Sequence, residues 1–392
     1  MKKVLIYLPE GDLAPVGGPL GYNYFLKQQL DKMQISNVDF IRKEGGKVKD
    51  TINQKLFTMK KGPLRTFLMV LKNFVVKSIN LYGPNHKTDI DLSKYDIVHF
   101  HTSTQMYGIK DSLKKYTGKV VLTTHSPTLQ STEVYDRLTP WEKKYMHWFY
   151  KNLVLIDQYA FMRADYIVFP CPEAEEPYYN NWKDYAEIKE IKKDAYRYLL
   201  TGTLKRQAKL SREQVCKQYN IPLDAFIVSY AGRHNEIKGY DCLKELGERV
   251  LKEKDNVYFL IAGKEFPIGG LKDNRWIEVG WTNDPHSLIA ASDVFVLPNR
   301  ETYFDLILLE VLSLGTIVMA SNTGGNKYFK KIESQGVKIY NNLSEAQSML
   351  YSIMNLSHNE KTELEQSNRN IFEKYFSLEI FAKQYVKLID SL

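Results

Sequence analysis

The chain has 392 residues, 44% of them hydrophobic and 26% charged, which excludes a disordered, collagenous or fibrous chain and points to two globular domains rather than one. The net charge of +8 is local: nine Lys/Arg and one acid, Asp50, fall within 47–87, and the remainder is balanced, so the excess describes one basic patch and gives nucleic-acid binding no general support. No apolar run is long enough to span a bilayer, the run at 4–8 is too short for an export signal, and three widely spaced cysteines (Cys171, Cys216, Cys242) suit neither a disulfide framework nor a zinc site. The expected location is the cytoplasm.

In chain order, the apolar run 4–8 reads as a strand, followed by a loop with Gly17, Gly18 and Gly21 and a helical pattern through Tyr22, Phe25, Leu26, Leu30 and Met33. At 64–82 the apolar residues Leu64, Phe67, Leu68, Leu71, Phe74, Val75, Ile79 and Tyr82 again fall at helical spacing, among Lys60, Lys61, Arg65, Lys72 and Lys77. Such a helix either lies on an anionic membrane or packs its stripe inward with the lysines solvated. Buried strands are expected at 97–100, 120–124 and 166–169, the pattern lapses into a polar, basic stretch at 198–218, and a second series follows at 226–230, 258–261, 276–279, 294–297, 317–320 and 337–340. Helical patterns at 359–373 and 377–392 close the chain.

Strands alternating with helices specify α/β domains with parallel sheets. The reading is two Rossmann-like, doubly wound domains, 1–204 and 205–376, with the helix at 377–392 available to pack back onto the first. Strand carboxyl ends would face a central cleft, where ligands of such sheets collect.

The chemistry concentrates at strand ends. After the strand at 294–297, residues 300–318 carry Thr302, Tyr303, Phe304, Asp305, Leu306 and Glu310. Amides at 304–306 opening a helix would attract a phosphate, and Glu310 could accept from a ribose diol. A core helix with Leu306, Leu309 and Leu312 inward and Glu310 merely solvated fits the same residues. After the strand at 226–230, Gly232-Arg233 and Lys238-Gly239 would set two fixed cations at the cleft edge, able to neutralise a diphosphate without a metal. His99 and His101 share one strand face without an evident third ligand, which favours packing over metal binding. Asp89-Ile90-Asp91 reads as a solvated turn. A nicotinamide site would want GxGxxG after the first strand, and Gly17-Gly18-Pro19-Leu20-Gly21 does not fit.

Together, Gly17-Gly18, Asp96 through His101, Thr124-His125, Gly232-Arg233 with Lys238-Gly239, Ala262-Gly263, Asp293 through Pro298, Phe304 to Glu310 to Gly315, and Gly324-Gly325 resemble the retaining nucleotide-sugar glycosyltransferases of GT-B architecture, family four (glycosyl transferases group 1). The resemblance implies that Arg233 and Lys238 hold the donor diphosphate, Glu310 the ribose, and the amides at 304–306 the phosphate or sugar. It further implies that Gly18 approaches the diphosphate from the first domain, and that His125 touches the donor sugar near the acceptor. Gly17, Gly263, Thr302 and Tyr303 complete the expected donor site. The implied catalytic residues are His125, Arg233 and Lys238, with no metal and no cofactor besides the NDP-sugar substrate.

The acceptor expected from this resemblance is a glycan or lipid-linked glycan of cell-surface polysaccharide, with 47–87 offered to an anionic membrane surface. The pattern departs from the family at Thr302, where the first of two paired glutamates usually stands, at Asp305, usually Gly, and at Asn326-Lys327-Tyr328 after Gly324-Gly325. A catalytically weak, sugar-binding partner subunit is therefore the alternative reading.

Overall fold

The computed structural model describes residues 2–8, 13–15, 18–42, 62–332 and 334–392. It divides into two compact units, the first of Met1–Phe169, Tyr178–Tyr198 and Val386–Leu392, the second of Pro170–Pro177 and Leu199–Tyr385. Each is built on a six-stranded, wholly parallel sheet.

In the first unit β1 (Val4–Leu8), β2 (Val38–Arg42), β3 (Ile97–Phe100), β4 (Lys119–Thr123), β5 (Tyr166–Phe169) and β6 (Tyr196–Tyr198) lie in the order β2-β1-β3-β4-β5-β6. β1 is the apolar run at 4–8, buried throughout as a strand covered on both faces must be. β2 and β6 lie outside the expected strands because their charged and aromatic residues give no clean apolar run. The helix Leu378–Ser391 ends in this unit, where the Leu392 carbonyl accepts from Tyr166 Oη at 3.2 Å.

The second sheet comprises β7 (Phe226–Ala231), β8 (Val257–Ala262), β9 (Trp276–Gly280), β10 (Val294–Leu297), β11 (Ile317–Ser321) and β12 (Val337–Tyr340), in the order β12-β11-β10-β7-β8-β9. The two-residue period sorts its side chains. Phe226, Val228 and Tyr230 of β7 join Phe259 and Ile261 of β8 under the helices Tyr240–Glu253 and Leu343–Met354. Ile227, Leu260 and Ala262 point to the opposite face, against Val215, Cys216 and Leu288.

The helix following β10, Leu306–Leu314, packs with Pro285–Ala290 and His358–Ile371, so the chain leaves β7 and β10 towards opposite faces. That reversal opens a crevice at the carboxyl ends of two neighbouring strands. The polar 198–218 stretch contains a helix the periodicity does not show, Arg212–Tyr219, started by a Ser211 capping box.

The loops after β7 and β10 are bonded to each other. Arg300 N donates to the Ile237 carbonyl at 3.0 Å, and Gly239 sits at φ +65° with its α-carbon so close to Pro298 that a β-carbon would fall 1.8 Å from the Pro298 carbonyl oxygen. Backbone cannot yield as a side-chain tip can. Gly239→Ala is therefore expected to lower the thermal midpoint by about 2–4 °C or more, the equivalent of about 1 kcal/mol of left-handed strain before the clash is counted. Calorimetry against the parent chain checks this, and an unchanged midpoint would refute the close approach.

Candidate functional site

The β7/β10 crevice gathers much of what the sequence singled out. Lys238 and Asp305 form an ion pair across it, and Asn299 Nδ2 donates to the same Asp305 oxygen at 2.8 Å. Burial would raise the Asp305 pKa, but the Lys238 ammonium and the Asn299 amide together hold it below its ordinary value. Arg233 is exposed, and its guanidinium makes no hydrogen bond or ion pair with any described residue. Its carbonyl accepts from Tyr230 Oη at 2.8 Å, which anchors the turn and leaves the guanidinium to solvent.

Thr302, Tyr303 and Phe304 are buried, while Leu306 opens the helix with Asp305 as its N-cap residue. Gly324 and Gly325 lie against the Thr302 and Tyr303 carbonyls so closely that β-carbons there would come within 1.8 and 2.2 Å of them. Gly263, at the end of β8, approaches the Gly232 carbonyl in the same way. The paired glycines thus fix the 302–304 backbone.

Glu310 is not a solvated surface carboxylate. One oxygen accepts from Arg206 Nε at 3.1 Å and Nη2 at 2.5 Å, and the other from His286 Nε2 at 2.9 Å. Three of its roughly four lone-pair sites are used, which leaves room for a further donor. Burial raises the Glu310 pKa, but hydrogen bonds from His286 and Arg206 lower it further, to a net value below the ordinary one.

Sequence reasoning missed Arg206, His286 and Asn299. Arg206 stands in the polar stretch that carries no periodicity, and no local spacing links it to Glu310. Also missed was Glu176, whose carboxylate accepts from Gly324 N at 3.1 Å and Thr323 Oγ1 at 3.3 Å and pairs with Lys327.

In the first unit Gly17 lies outside the described residues, as do 47–61 of the basic segment. Gly18, at φ +76°, is the N-cap residue of the helix Pro19–Lys32. His125 follows β4 beside a polar pocket of about 180 Å³ lined by His101, Ser103, Thr124, Glu133, Asp157 and Tyr178, among others. His101 Nδ1 and His125 Nε2 lie 2.8 Å apart, and His99 stacks on His101 at 4.4 Å. Burial depresses all three imidazoles, His99 and His125 to about 3, with the neighbouring rings adding to the effect on His99 and His101. They are neutral at pH 7.

Among the described residues no group of three His, Cys, Asp or Glu is arranged to hold a metal. Asp91 caps the short helix Leu92–Lys94 through Ser93 N. A groove of about 640 Å³ in the second unit, along Lys331, Glu363, Lys374 and Tyr375, contains none of the expected site residues.

Residues 225–358 match the family described as Glycosyl transferases group 1. The O-antigen biosynthesis glycosyltransferase WclY of Escherichia coli is 24% identical over 184 residues, covering 45% of this chain and 50% of that protein. The UDP-Gal:alpha-D-GlcNAc-diphosphoundecaprenol alpha-1,3-galactosyltransferase of Escherichia coli is 34% identical over 94 residues, covering 22% of this chain and 24% of that protein. The chain spans about half the length of the first relatives it matches. Among solved structures, HepE of Anabaena in complex with UDP superposes with a TM-score of 0.62 at 15% identity, covering 100% of both chains. At that identity the likeness establishes the fold, the pair of Rossmann-like domains found in GT-B glycosyltransferases.

The lowered pKa values of Asp305 and Glu310 make the second unit acid-sensitive. A carboxyl group depressed in the folded state contributes stability that is present above its unfolded pKa, about 4, and is lost as pH falls through the folded value. Arg206→Met removes one of the two groups that hold Glu310 down, so its folded value moves towards the unfolded one and the acid-induced drop in stability should be smaller in that variant. Thermal midpoints measured from pH 7 to pH 3 check this; superimposable profiles would disprove the role given to Arg206.

Proposed function

We propose, from the match of residues 225–358 to the family described as Glycosyl transferases group 1, that the protein is a retaining glycosyltransferase. It moves a hexosyl or N-acetylhexosaminyl unit from an NDP-sugar, with uridine as the base, to a hydroxyl of a glycan or lipid-linked glycan in cell-surface polysaccharide biosynthesis. The observation that carries this reading is Lys238 meeting Asp305 in the β7/β10 crevice, at the start of the helix Leu306–Leu314, with Arg233 in the loop after β7 and Glu310 in the same unit. The UDP bound by HepE and the UDP-Gal and diphosphoundecaprenol in the galactosyltransferase's name support the base and the acceptor class.

Cleaving the bond between the sugar C1 and the donor β-phosphate puts negative charge on the leaving diphosphate. Arg233 and Lys238 are placed to stabilise that charge before it develops, in place of a metal. The acceptor oxygen bonds to C1 on the face the diphosphate leaves, and the acceptor proton passes to the departing phosphate oxygen. Glu310, held by Arg206 and His286, accepts from the ribose, and His125 contacts the donor sugar.

Arg233→Ala, which removes no hydrogen bond or ion pair among the described residues, and Lys238→Ala are each expected to lower the rate of nucleoside diphosphate release with a UDP-sugar panel about 10²–10³-fold. The parent chain should keep its rate in EDTA. Near-parental rates in both variants would remove the site. The Lys238–Asp305 pair favours one second reading, a partner subunit whose cation is already neutralised; such a subunit binds nucleotide sugar and releases no diphosphate.

The proposed location is the cytoplasmic face of the membrane. In the helix Pro63–Tyr82, Val70 and Leu81 are buried and Phe74 packs on Phe149, while Leu64, Phe67, Leu71, Val75, Ile79 and Tyr82 form an exposed stripe at three- and four-residue spacing. Trp148, next to Phe149, and Trp141 and Tyr145 on the helix Pro140–Tyr145 are also exposed, with Lys143, Lys144 and Lys151 among them. Apolar and aromatic side chains rimmed by cations suit an anionic bilayer surface, where each nearby lysine adds about 1 kcal/mol. No helix among the described residues is long and apolar enough to cross it.

Co-sedimentation is expected with phosphatidylglycerol vesicles and not with phosphatidylcholine vesicles, and Phe67→Ser with Ile79→Ser should weaken it about tenfold or more through lost apolar burial. Equal recovery in the supernatant with both lipids would point to a soluble acceptor.

A further inference from the structure

We infer that His101 is a positioning residue for His125: its Nδ1–H donates to His125 Nε2 and holds His125 in the tautomer that carries its own proton on Nδ1. The inference rests on the reading of His125 as a donor-sugar contact and adds which hydrogen-bonding role that ring can play.

Both rings are buried enough to be neutral at pH 7, so the 2.8 Å contact between His101 Nδ1 and His125 Nε2 holds one proton, and one ring must donate while the other accepts. The other nitrogen of His101, Nε2, is fully buried and meets no hydrogen-bond partner among the described residues. If His125 donated, His101 would carry its proton on Nε2, leaving a buried N–H orphaned, the rarer and costlier fault. If His101 donates, Nε2 is left with only an unpartnered lone pair.

The surroundings keep the pair in place. His101 is a single residue past β3, one of the two strands at which the first sheet reverses its winding, and it is 1% exposed. His99 stacks on it and is itself tied through Nε2 to Thr123 Oγ1 at 2.7 Å. Tyr22, from the helix Pro19–Lys32, lies edge-on to His125 at 4.8 Å. The His125 ring cannot turn over without breaking the His101 contact and that ring packing.

His125 Nδ1 has no hydrogen-bond partner among the described residues. In the assigned tautomer it is an N–H donor, suited to a sugar oxygen and unable to act as the base that deprotonates an acceptor. The unit therefore uses a neutral imidazole as a fixed donor, set by a second imidazole that is itself almost wholly buried.

Long-range ¹H–¹⁵N spectra of the ¹⁵N-histidine-labelled full chain read the tautomer directly, the His125 signals being those lost in His125→Gln. Free protein at pH 7 should show His125 protonated at Nδ1. His101→Phe should shift those signals towards a mixture of tautomers and lower kcat about tenfold, the equivalent of one hydrogen bond. His101→Asn, whose amide N–H can stand where Nδ1–H stood, should restore both. A parent chain with His125 protonated at Nε2, or a His101→Asn spectrum like that of His101→Phe, overturns the inference. The spectra need no turnover, so a chain that transfers no sugar would defeat the proposed function and leave this test standing.

Discussion

Between β7 and β10 the second sheet reverses its winding, and much of the site's chemistry follows from that constraint. Two adjacent parallel strands send their chains to opposite faces, so the loops beyond them cannot fill the space between their own ends. Gly239 lets those loops touch backbone to backbone, and Lys238, Asn299 and Asp305 then meet in the opening. The glycines at 263, 324 and 325 serve the same end, bringing neighbouring loops against this framework at distances no side chain permits.

The charges assembled there are largely compensated within the protein. Lys238 faces Asp305, and Glu310 faces Arg206 and His286, leaving Arg233 as the cation of this group with no partner among the described residues. A diphosphate entering the crevice would compete with Asp305 for Lys238, so the net attraction is smaller than a count of cations suggests. The Asp305 carboxylate satisfies the Lys238 ammonium in the free crevice, which a glycine at 305 could not do.

The first unit uses a different device at its own reversal, between β1 and β3. Neutral imidazoles replace fixed charges, kept neutral by burial and ordered by stacking. On the same unit, the helix Pro63–Tyr82 is apolar on more than one side: Val70 and Leu81 satisfy the core, and the surplus stripe remains outside. A helix needs only about a third of its circumference to pack on one neighbour, so the extra apolar residues call for a second apolar environment.

By itself the sequence determined the parallel α/β architecture, because fully buried strands leave short apolar runs that stand out at 4–8, 97–100, 226–230 and 294–297, and because strand-end motifs at Arg233, Lys238, Asp305 and Glu310 sit next to them in the chain. It could not reveal β2, β6 or the helix Arg212–Tyr219, whose edge or capped positions need no apolar run. Nor could it determine which groups meet. Arg206 reaches Glu310 across 104 positions, His101 reaches His125 across 24, and Lys238 meets Asp305 across 67. Hydrogen bonds and ion pairs depend on distance in space, and only the winding of the sheets converts these separations into contacts. The outward direction of the stripe on Pro63–Tyr82 was likewise decided by tertiary structure, since helical spacing shows that a face exists and packing alone selects which face is covered.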